Sequence, residues 1–267
     1  MNNSRSVAGM MISLAFLGIT ALACTFQGPD NPPKPNPTPN SSSGSATNSA
    51  APAPQKDIAG SYAATGTNFD GGGPYKATLV VTPRDDVYQF SWLPGTDSTA
   101  GENRPKLAVA NSYDGVGVMT DSTVAVAYTD GPNGKGCGVV LYKIGADGSL
   151  DGKAGYWGVN SAESEKGIRK SGTDLDGSYE ITGKNVDGEE YKGKLDVKKD
   201  GEGYTFAWDA GSQFTGFGIK QGDKAVVGFG GKQCAFVAYE VKPDGTLEGK
   251  WGGQGNKSFG TETAKKK

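Results

Sequence analysis

Apolar and polar residues alternate one by one over several short segments in the second half of the chain. Tyr204, Phe206 and Trp208 alternate with small or polar residues, and Leu195 and Val197 alternate with lysine and aspartate. A period of two is typical of β-strands that bury one face and expose the other. Asp-Gly and Gly-Asp pairs separate these segments, and such pairs favour tight hairpin turns. The pattern predicts about eight strands, starting near Ser178, Tyr191, Gly203, Phe214, Lys224, Ala235, Thr246 and Ser258.

The first half of the chain repeats this plan. Trp92 lies 116 residues before Trp208, and Cys137 lies 97 residues before Cys234, within segments that match throughout. A register that holds over several apolar segments indicates an internal duplication. The first repeat is longer by 15 residues between Trp92 and Tyr113 and by four more before Cys137.

The sequence therefore predicts an all-β protein with two tandem homologous domains, each an antiparallel meander of about eight strands. Such meanders are expected to close into small up-and-down barrels of avidin-like or lipocalin-like shape, with an open β-sandwich as the alternative. The predicted domains are 58–170, with a long loop at 93–110, and 171–264, followed by a basic tail at 265–267. Each repeat is expected to fold by itself. The 43 glycines and 35% hydrophobic residues suit thin sheets better than a helical bundle.

The N-terminus is predicted to be an export signal. Arg5 precedes an apolar run that ends at Cys24, so residues 1–23 have the pattern of a signal peptide. The region resembles a bacterial lipoprotein signal, although Leu22 stands one place later than the usual leucine. That resemblance implies that Cys24 carries the lipid anchor, with acyl chains such as palmitate; ordinary cleavage and an uncut membrane helix are the alternatives. Residues 24–57 are rich in proline, serine and asparagine, which predicts a disordered tether.

Composition and charge exclude several kinds of chemistry. The chain contains no histidine, which rules out histidine bases, Ser-His-Asp triads and histidine-bound zinc. Without the segment that contains Arg5, 26 basic and 29 acidic residues remain, so no nucleic-acid partner is expected. Acidic pairs such as Asp85-Asp86 lie in predicted turns, where solvated hairpins are the simpler interpretation. We therefore predict no catalytic, cofactor-binding or metal site, and no enzymatic activity.

One strand of each repeat carries an aromatic stripe on a single face. In a small barrel that face points inward, so the rings either fill the core or line a ligand cavity. Both interpretations stay open, because a cavity would also need polar groups that orient a ligand. The six residues are Tyr88, Phe90, Trp92, Tyr204, Phe206 and Trp208.

The two remaining cysteines occupy equivalent positions in the repeats. Each begins a strand whose cysteine face also carries a charged residue, Lys143 or Glu240, which indicates the outer face of a barrel. That face is otherwise apolar, so the other domain is expected to cover it. Packing about a pseudo-twofold axis would bring equivalent residues together, and an exported protein could then form a Cys137–Cys234 disulfide. Two separate buried thiols are the alternative.

Several motifs resemble a known repeat. GSYEITGKN, YKGKLDV, YTFAW, CAFVAYEV and DGTLEGKW look like a repeat of exported bacterial proteins, some of which carry a fibronectin-binding label. The resemblance spans residues 60–262 and implies a surface adhesin. These motifs consist mostly of glycines, turn residues and core aromatics, so they identify the repeat rather than an active group.

The predicted function is that of a lipoprotein held in the bacterial cell envelope, at the outer membrane or cell surface. We expect a non-enzymatic binding module or adhesin, with a structural or accessory subunit of an envelope complex as the alternative. The expected partners are the membrane, through the lipid on Cys24, and an extracellular-matrix or envelope protein.

Overall fold

The computed structural model describes residues 57–95, 112–130, 134, 136–231 and 233–267. The predictions for residues 1–56, including Cys24, and for most of the loop 93–110 lie outside the described residues. Within the described residues, no helix is long and apolar enough to cross a membrane. These residues form sixteen strands: β1 (Gly60–Thr67), β2 (Pro74–Arg84), β3 (Val87–Pro94), β4 (Tyr113–Thr120), β5 (Thr123–Asp130), β6 (Gly138–Ile144), β7 (Leu150–Tyr156), β8 (Glu163–Thr173), β9 (Asp176–Lys184), β10 (Glu190–Asp200), β11 (Gly203–Asp209), β12 (Gln213–Gln221), β13 (Lys224–Phe229), β14 (Ala235–Val241), β15 (Leu247–Gly252) and β16 (Gly260–Lys266).

The strands form two closed antiparallel barrels of eight strands each, which confirms the predicted fold class and excludes the open sandwich. Barrel 1 contains β1 to β5 and β14 to β16, in which β1 pairs with β16 and β5 pairs with β14. Barrel 2 contains β6 to β13, in which β8 pairs with β9 and β6 pairs with β13. Closure pairs every strand on both sides, so neither barrel has a free sheet edge.

The predicted domain boundary at residues 170 and 171 is not a boundary between barrels. Each barrel takes five strands from one repeat and three from the other, because the chain crosses over after β5 and crosses back after β13. The expectation that each repeat closes its own barrel is therefore wrong, and the described residues from 57 to 267 belong to one compact unit. Two predicted boundaries also differ from the structure. The strand β3 continues through Pro94, and Lys265 and Lys266 belong to β16 rather than to a free tail.

Equivalent hairpins use different residues to make the same turn. Gly201 and Gly222 have φ of 59° and 61°, in the left-handed region that glycine adopts without steric cost. Their counterparts in the first repeat are Asp85 and Asp121, with φ of 43° and 56°. Aspartate is one of the few other residues that tolerate this conformation. The acidic turn residues thus have a local structural role, as the sequence indicated.

Three apolar clusters hold the unit together. One fills barrel 1, around Leu79 and Phe90, and one fills barrel 2, around Leu195 and Phe206. The third consists of outward-facing side chains of both barrels, including Val226 and others on β4 to β6 and β12 to β14. These strands are buried on both faces, so the two barrels share an apolar interface.

The equivalent cysteines lie in this interface and form a disulfide bond. Cys137 and Cys234 have a Cα–Cα distance of 5.7 Å. Each follows a matching turn, in which the cysteine backbone nitrogen donates to the carbonyl of Gly134 at 3.1 Å or of Gly231 at 3.0 Å. The apolar outer face that carries the cysteines is covered by the other barrel, as predicted from the sequence. The disulfide therefore joins the two crossover segments of the chain.

Candidate ligand-binding site

A buried carboxylate lies inside barrel 1. Glu262 on β16 is 4% exposed and accepts three hydrogen bonds. Oε1 accepts from the Tyr239 hydroxyl and from Trp92 Nε1 at 3.0 Å, and Oε2 accepts from the Tyr75 hydroxyl at 2.7 Å. We call Glu262, Tyr239, Trp92 and Tyr75 the barrel 1 tetrad.

Barrel 2 contains an equivalent set, the barrel 2 tetrad of Glu165, Tyr142, Trp208 and Tyr191. Glu165 Oε1 accepts from the Tyr142 hydroxyl and from Trp208 Nε1 at 3.2 Å, while Oε2 accepts from the Tyr191 hydroxyl at 2.9 Å. Because the repeats exchange strands, each tetrad draws its tryptophan and one tyrosine from one repeat, and its glutamate and the other tyrosine from the other repeat.

Glycines on neighbouring strands make room for the tetrad tyrosines. Tyr191 pairs with Gly183 across β9 and β10, and Tyr75 pairs with Gly66 across β1 and β2. A Cβ atom at Gly183 would lie 2.1 Å from Cζ of Tyr191, and one at Gly66 would lie 2.7 Å from the Tyr75 ring. The absent side chain lets each ring lie across the strand, with its hydroxyl directed to the glutamate.

Burial dominates the electrostatics of the barrel 1 tetrad. Removal of Glu262 from water raises the pKa of its carboxyl above 4.5, and the hydrogen bonds from the two tyrosines and Trp92 offset part of this effect. Burial and the neighbouring Glu262 carboxylate raise the pKa of Tyr239 well above 10.0, so its hydroxyl stays a donor. The indole of Trp92 can only donate. The tetrad is therefore a buried acceptor surrounded by donors.

An open cavity of about 540 Å³ lies beside the barrel 1 tetrad. This volume falls within the range of about 300–1,000 Å³ that is usual for ligand pockets. Its wall includes Glu262 and, at the mouth, Phe69 and Tyr113, which are 39% and 37% exposed. Among the described residues that line the cavity, Glu262 is the one carboxylate, and none is basic. The aromatic members of the wall are Phe69, Tyr75, Trp92, Tyr113, Tyr128 and Trp251.

Aromatic rings pack together in the corresponding part of barrel 2. Phe214 stacks on Trp208 with ring centroids 4.9 Å apart, and Phe229 contacts both Phe214 at 5.5 Å and Tyr156 at 5.3 Å. In barrel 1 the counterpart of Phe214 is Tyr113, which meets Tyr128 edge-on at 6.1 Å. The two barrels thus share a tetrad but differ in how the space beside it is occupied.

Two sequence differences accompany this change in packing. Tyr156 of barrel 2 corresponds to Gly253 of barrel 1, 97 positions later, so one of the packing rings is missing. The second difference concerns a cross-strand pair: Ala154 faces Glu163 in barrel 2, whereas Trp251 faces Gly260 in barrel 1. A Cβ at Gly260 would lie 2.5 Å from the Trp251 indole, so the glycine is needed for that ring to lie on the wall.

The aromatic residues predicted from the sequence have different positions. Phe90 and Phe206 are fully buried core residues, and Trp208 belongs to the packed interior of barrel 2. Trp92 belongs to the core and also lines the cavity. The remaining two belong to neither tetrad: Tyr88 is half-buried, and Tyr204 is buried with the Lys199 ammonium 4.2 Å above its ring.

The two glutamates at the centre of the tetrads were not predicted from the sequence. Acidic residues were expected in turns, whereas Glu165 and Glu262 lie within strands. A usable signal was present, because Glu262 stands two residues before the buried Ala264 and therefore on the inward face of β16. The second signal is that Glu165 occurs at the equivalent place, 97 positions earlier.

No group of histidine, cysteine, aspartate and glutamate within the described residues could hold a metal ion. Comparison with known proteins finds no matching family model, curated protein or solved structure. The resemblance to the fibronectin-binding repeat therefore stays a prediction.

Proposed function

We propose that this chain is a non-enzymatic binding protein of the bacterial envelope, and that it holds a small molecule in the cavity of barrel 1. The observation that carries the proposal is the contrast between the barrels. The same tetrad is packed against aromatic rings in barrel 2 and adjoins an open cavity of about 540 Å³ in barrel 1. If this part of barrel 1 served only stability, we would expect the packed arrangement there, because well-filled cores are more stable than cores with cavities.

A binding role suits the chemistry of the cavity better than catalysis does. Glu262 is the one carboxylate among the described lining residues, whereas glycoside hydrolysis, for example, uses two carboxylates at defined separation. The chain has no histidine that could act as a general base beside it. The three donors that surround Glu262 fix its position, which suits an orienting group in a binding pocket.

Binding can be tested with a neutral fluorescent probe such as N-phenyl-1-naphthylamine. We expect saturable binding to the wild-type protein and strong loss of binding in Gly253→Tyr, which places the packing ring of barrel 2 in barrel 1. A Cβ at Gly253 would have its nearest neighbour at 3.7 Å, so the substitution should not disturb the backbone. Tyr156→Phe in barrel 2 is the matched control and should bind normally. Equal binding by wild type and Gly253→Tyr would refute the cavity as the site.

The envelope location rests on the N-terminal sequence. A lipid on Cys24, followed by a proline-rich tether, would hold both barrels away from the membrane surface. Cys24→Ala should release the protein into the soluble fraction, and intact mass should show acyl groups on the wild type alone. A variant that still sediments with membranes at high salt would contradict the anchor.

A protein partner is the second expectation from the sequence, either an extracellular-matrix protein, as the resemblance implies, or an envelope protein in a structural complex. Stoichiometric co-purification after mild detergent extraction would favour the structural or accessory role.

A further inference from the structure

We propose that the ligand of the barrel 1 cavity is a small organic cation, with an ammonium group that lies among the aromatic rings beside Glu262. This inference rests on the proposed binding function and specifies the class of ligand. Three features of the cavity carry it: a buried carboxylate with no cationic partner among the described residues, a wall of aromatic rings, and the differences between the two barrels.

The first feature is the charge of the wall. Glu262 is 4% exposed, and its partners are two hydroxyls and an indole, all neutral donors. None of the ion pairs among the described residues involves Glu262, and none of the described lining residues is basic. A buried carboxylate is most stable beside an opposite charge, because dipoles replace only part of its hydration. No described residue supplies such a charge here, and a cationic ligand would.

The second feature is the arrangement of the rings. Trp251 meets Phe69 at 5.3 Å, Tyr75 at 5.8 Å and Tyr128 at 6.4 Å between ring centroids, each close to edge-on. Rings set at steep angles to one another present faces in several directions around a shared space. Quaternary ammonium groups are recognised by aromatic cages of this kind, because ring faces attract positive charge. An aromatic wall with one carboxylate therefore selects against anions and favours cations.

The third feature is the pair of substitutions that distinguishes barrel 1 from barrel 2. Where Ala154 faces Glu163 in barrel 2, Trp251 faces Gly260 in barrel 1. Barrel 1 thus lacks the second acid, so Glu262 is the carboxylate at this place, and it has an additional indole that enlarges the aromatic wall. The tetrad is common to both barrels and supports their cores. The specificity of barrel 1 comes from what lies around the tetrad.

A neutral ligand with a hydroxyl group could also donate to Glu262, so the test compares matched probes. Choline carries a quaternary nitrogen, and 3,3-dimethylbutan-1-ol has the same shape with a carbon in its place. Each compound is titrated against the full-length protein, with tryptophan fluorescence and displacement of N-phenyl-1-naphthylamine as readouts. We expect choline to bind at least tenfold more tightly than the neutral alcohol. This comparison needs no substitution, so it does not depend on the folding of a variant.

Three variants then assign the preference to barrel 1. Glu262→Gln keeps the size of the side chain and should remove the preference for choline, whereas Glu165→Gln changes the equivalent residue of the packed barrel and should keep it. Trp251→Leu should weaken the binding of choline more than the binding of the alcohol. Equal affinity of the two probes, or an equal loss of the choline preference in both glutamine variants, would overturn the proposal that the ligand is a cation. If the dye is still displaced in that case, the cavity remains a binding site. If neither the dye nor the probes bind, the proposed function itself fails.

Discussion

The exchange of strands predicts that the two repeats stay together when the chain is cut between them. The cut is placed by inserting a protease recognition sequence between Thr173 and Asp174, at the exposed tip of the β8–β9 hairpin. Barrel 1 shows that this connection is dispensable, because β1 pairs with β16 although no hairpin joins them. Leu175, just after the cut, accepts a hydrogen bond from the Tyr179 hydroxyl at 2.9 Å, and Ile58 accepts the equivalent bond from Tyr62 at 2.7 Å. Cleavage would thus make barrel 2 resemble barrel 1.

The magnitude follows from the side chains that one repeat buries inside the barrel of the other. Each fully buried aliphatic or aromatic side chain contributes about 1.5–3 kcal/mol. Seven such side chains therefore give about 10–20 kcal/mol before the cost of association, and a dissociation constant of 1 µM corresponds to about 8 kcal/mol. Paired backbones and the interface between the barrels add to this. The seven residues, all at most 7% exposed, are Val237, Tyr239, Val241 and Leu247 in barrel 1 and Val140, Tyr142 and Leu150 in barrel 2.

The assay uses a background of Cys137→Ser and Cys234→Ser, so that no covalent bond joins the cut halves. Size-exclusion chromatography with light scattering should show one species with the mass of the uncut protein, and far-UV circular dichroism should be unchanged. The uncleaved insertion variant is the control. Two separate species, each with β structure, would refute the exchange and show that each repeat closes its own barrel.

Three further predictions concern stability. Replacing Cys137 and Cys234 by serine opens a link with a sequence separation of 97 residues and should lower the free energy of unfolding by about 2–5 kcal/mol in urea titrations; an unchanged midpoint would contradict this. Burial raises the pKa of Glu165 above 4.5, so the folded state binds this proton more tightly than the unfolded state, and the contribution of Glu165 to stability must fall as pH rises above about 4.5. The difference in unfolding free energy between wild type and Glu165→Gln should therefore move in favour of the variant with rising pH, and a movement in the opposite direction would refute the reasoning. Gly66→Ala would place a Cβ 2.1 Å from a carbonyl oxygen of β16 and should cost about 1–3 kcal/mol or more, whereas Gly73→Ala, with no atom within 4 Å, should be nearly neutral in the same denaturation assay.

The strands were predictable because their signals are local. Alternation with period two and glycine or aspartate turns act over a few residues, and the predicted starts in the second repeat lie within two residues of the observed strands. The face that carries Cys137 and Cys234 was predictable for the same reason, since alternation along one strand identifies its sides. The presence of Lys143 at the end of that face then indicated which side points outward.

The exchange of strands was not predictable, because the duplication makes the correct and incorrect pairings similar. β14 pairs with β5, yet β13 is the equivalent strand of the other repeat and directly precedes β14 in the chain. Hydrophobic pattern sets the register within a pair of strands but does not distinguish between two homologous partners. One available signal was burial on both faces, since β13 is apolar at Ala225, Val226 and Val227 in succession. Such runs are typical of strands covered on both sides.

The cavity depends on the same exchange, so it could not be predicted from either repeat alone. Tyr75, Trp92 and Tyr128 belong to the first repeat, whereas Trp251 and Glu262 belong to the second. Two identical repeats joined in this way would build two identical interiors, because each barrel would receive the same five and three strands. In one chain the repeats can differ, and substitutions in β7 and β15 affect different barrels. Barrel 2 can therefore keep a packed interior that supports the shared interface, while barrel 1 keeps the same tetrad beside an open aromatic cavity.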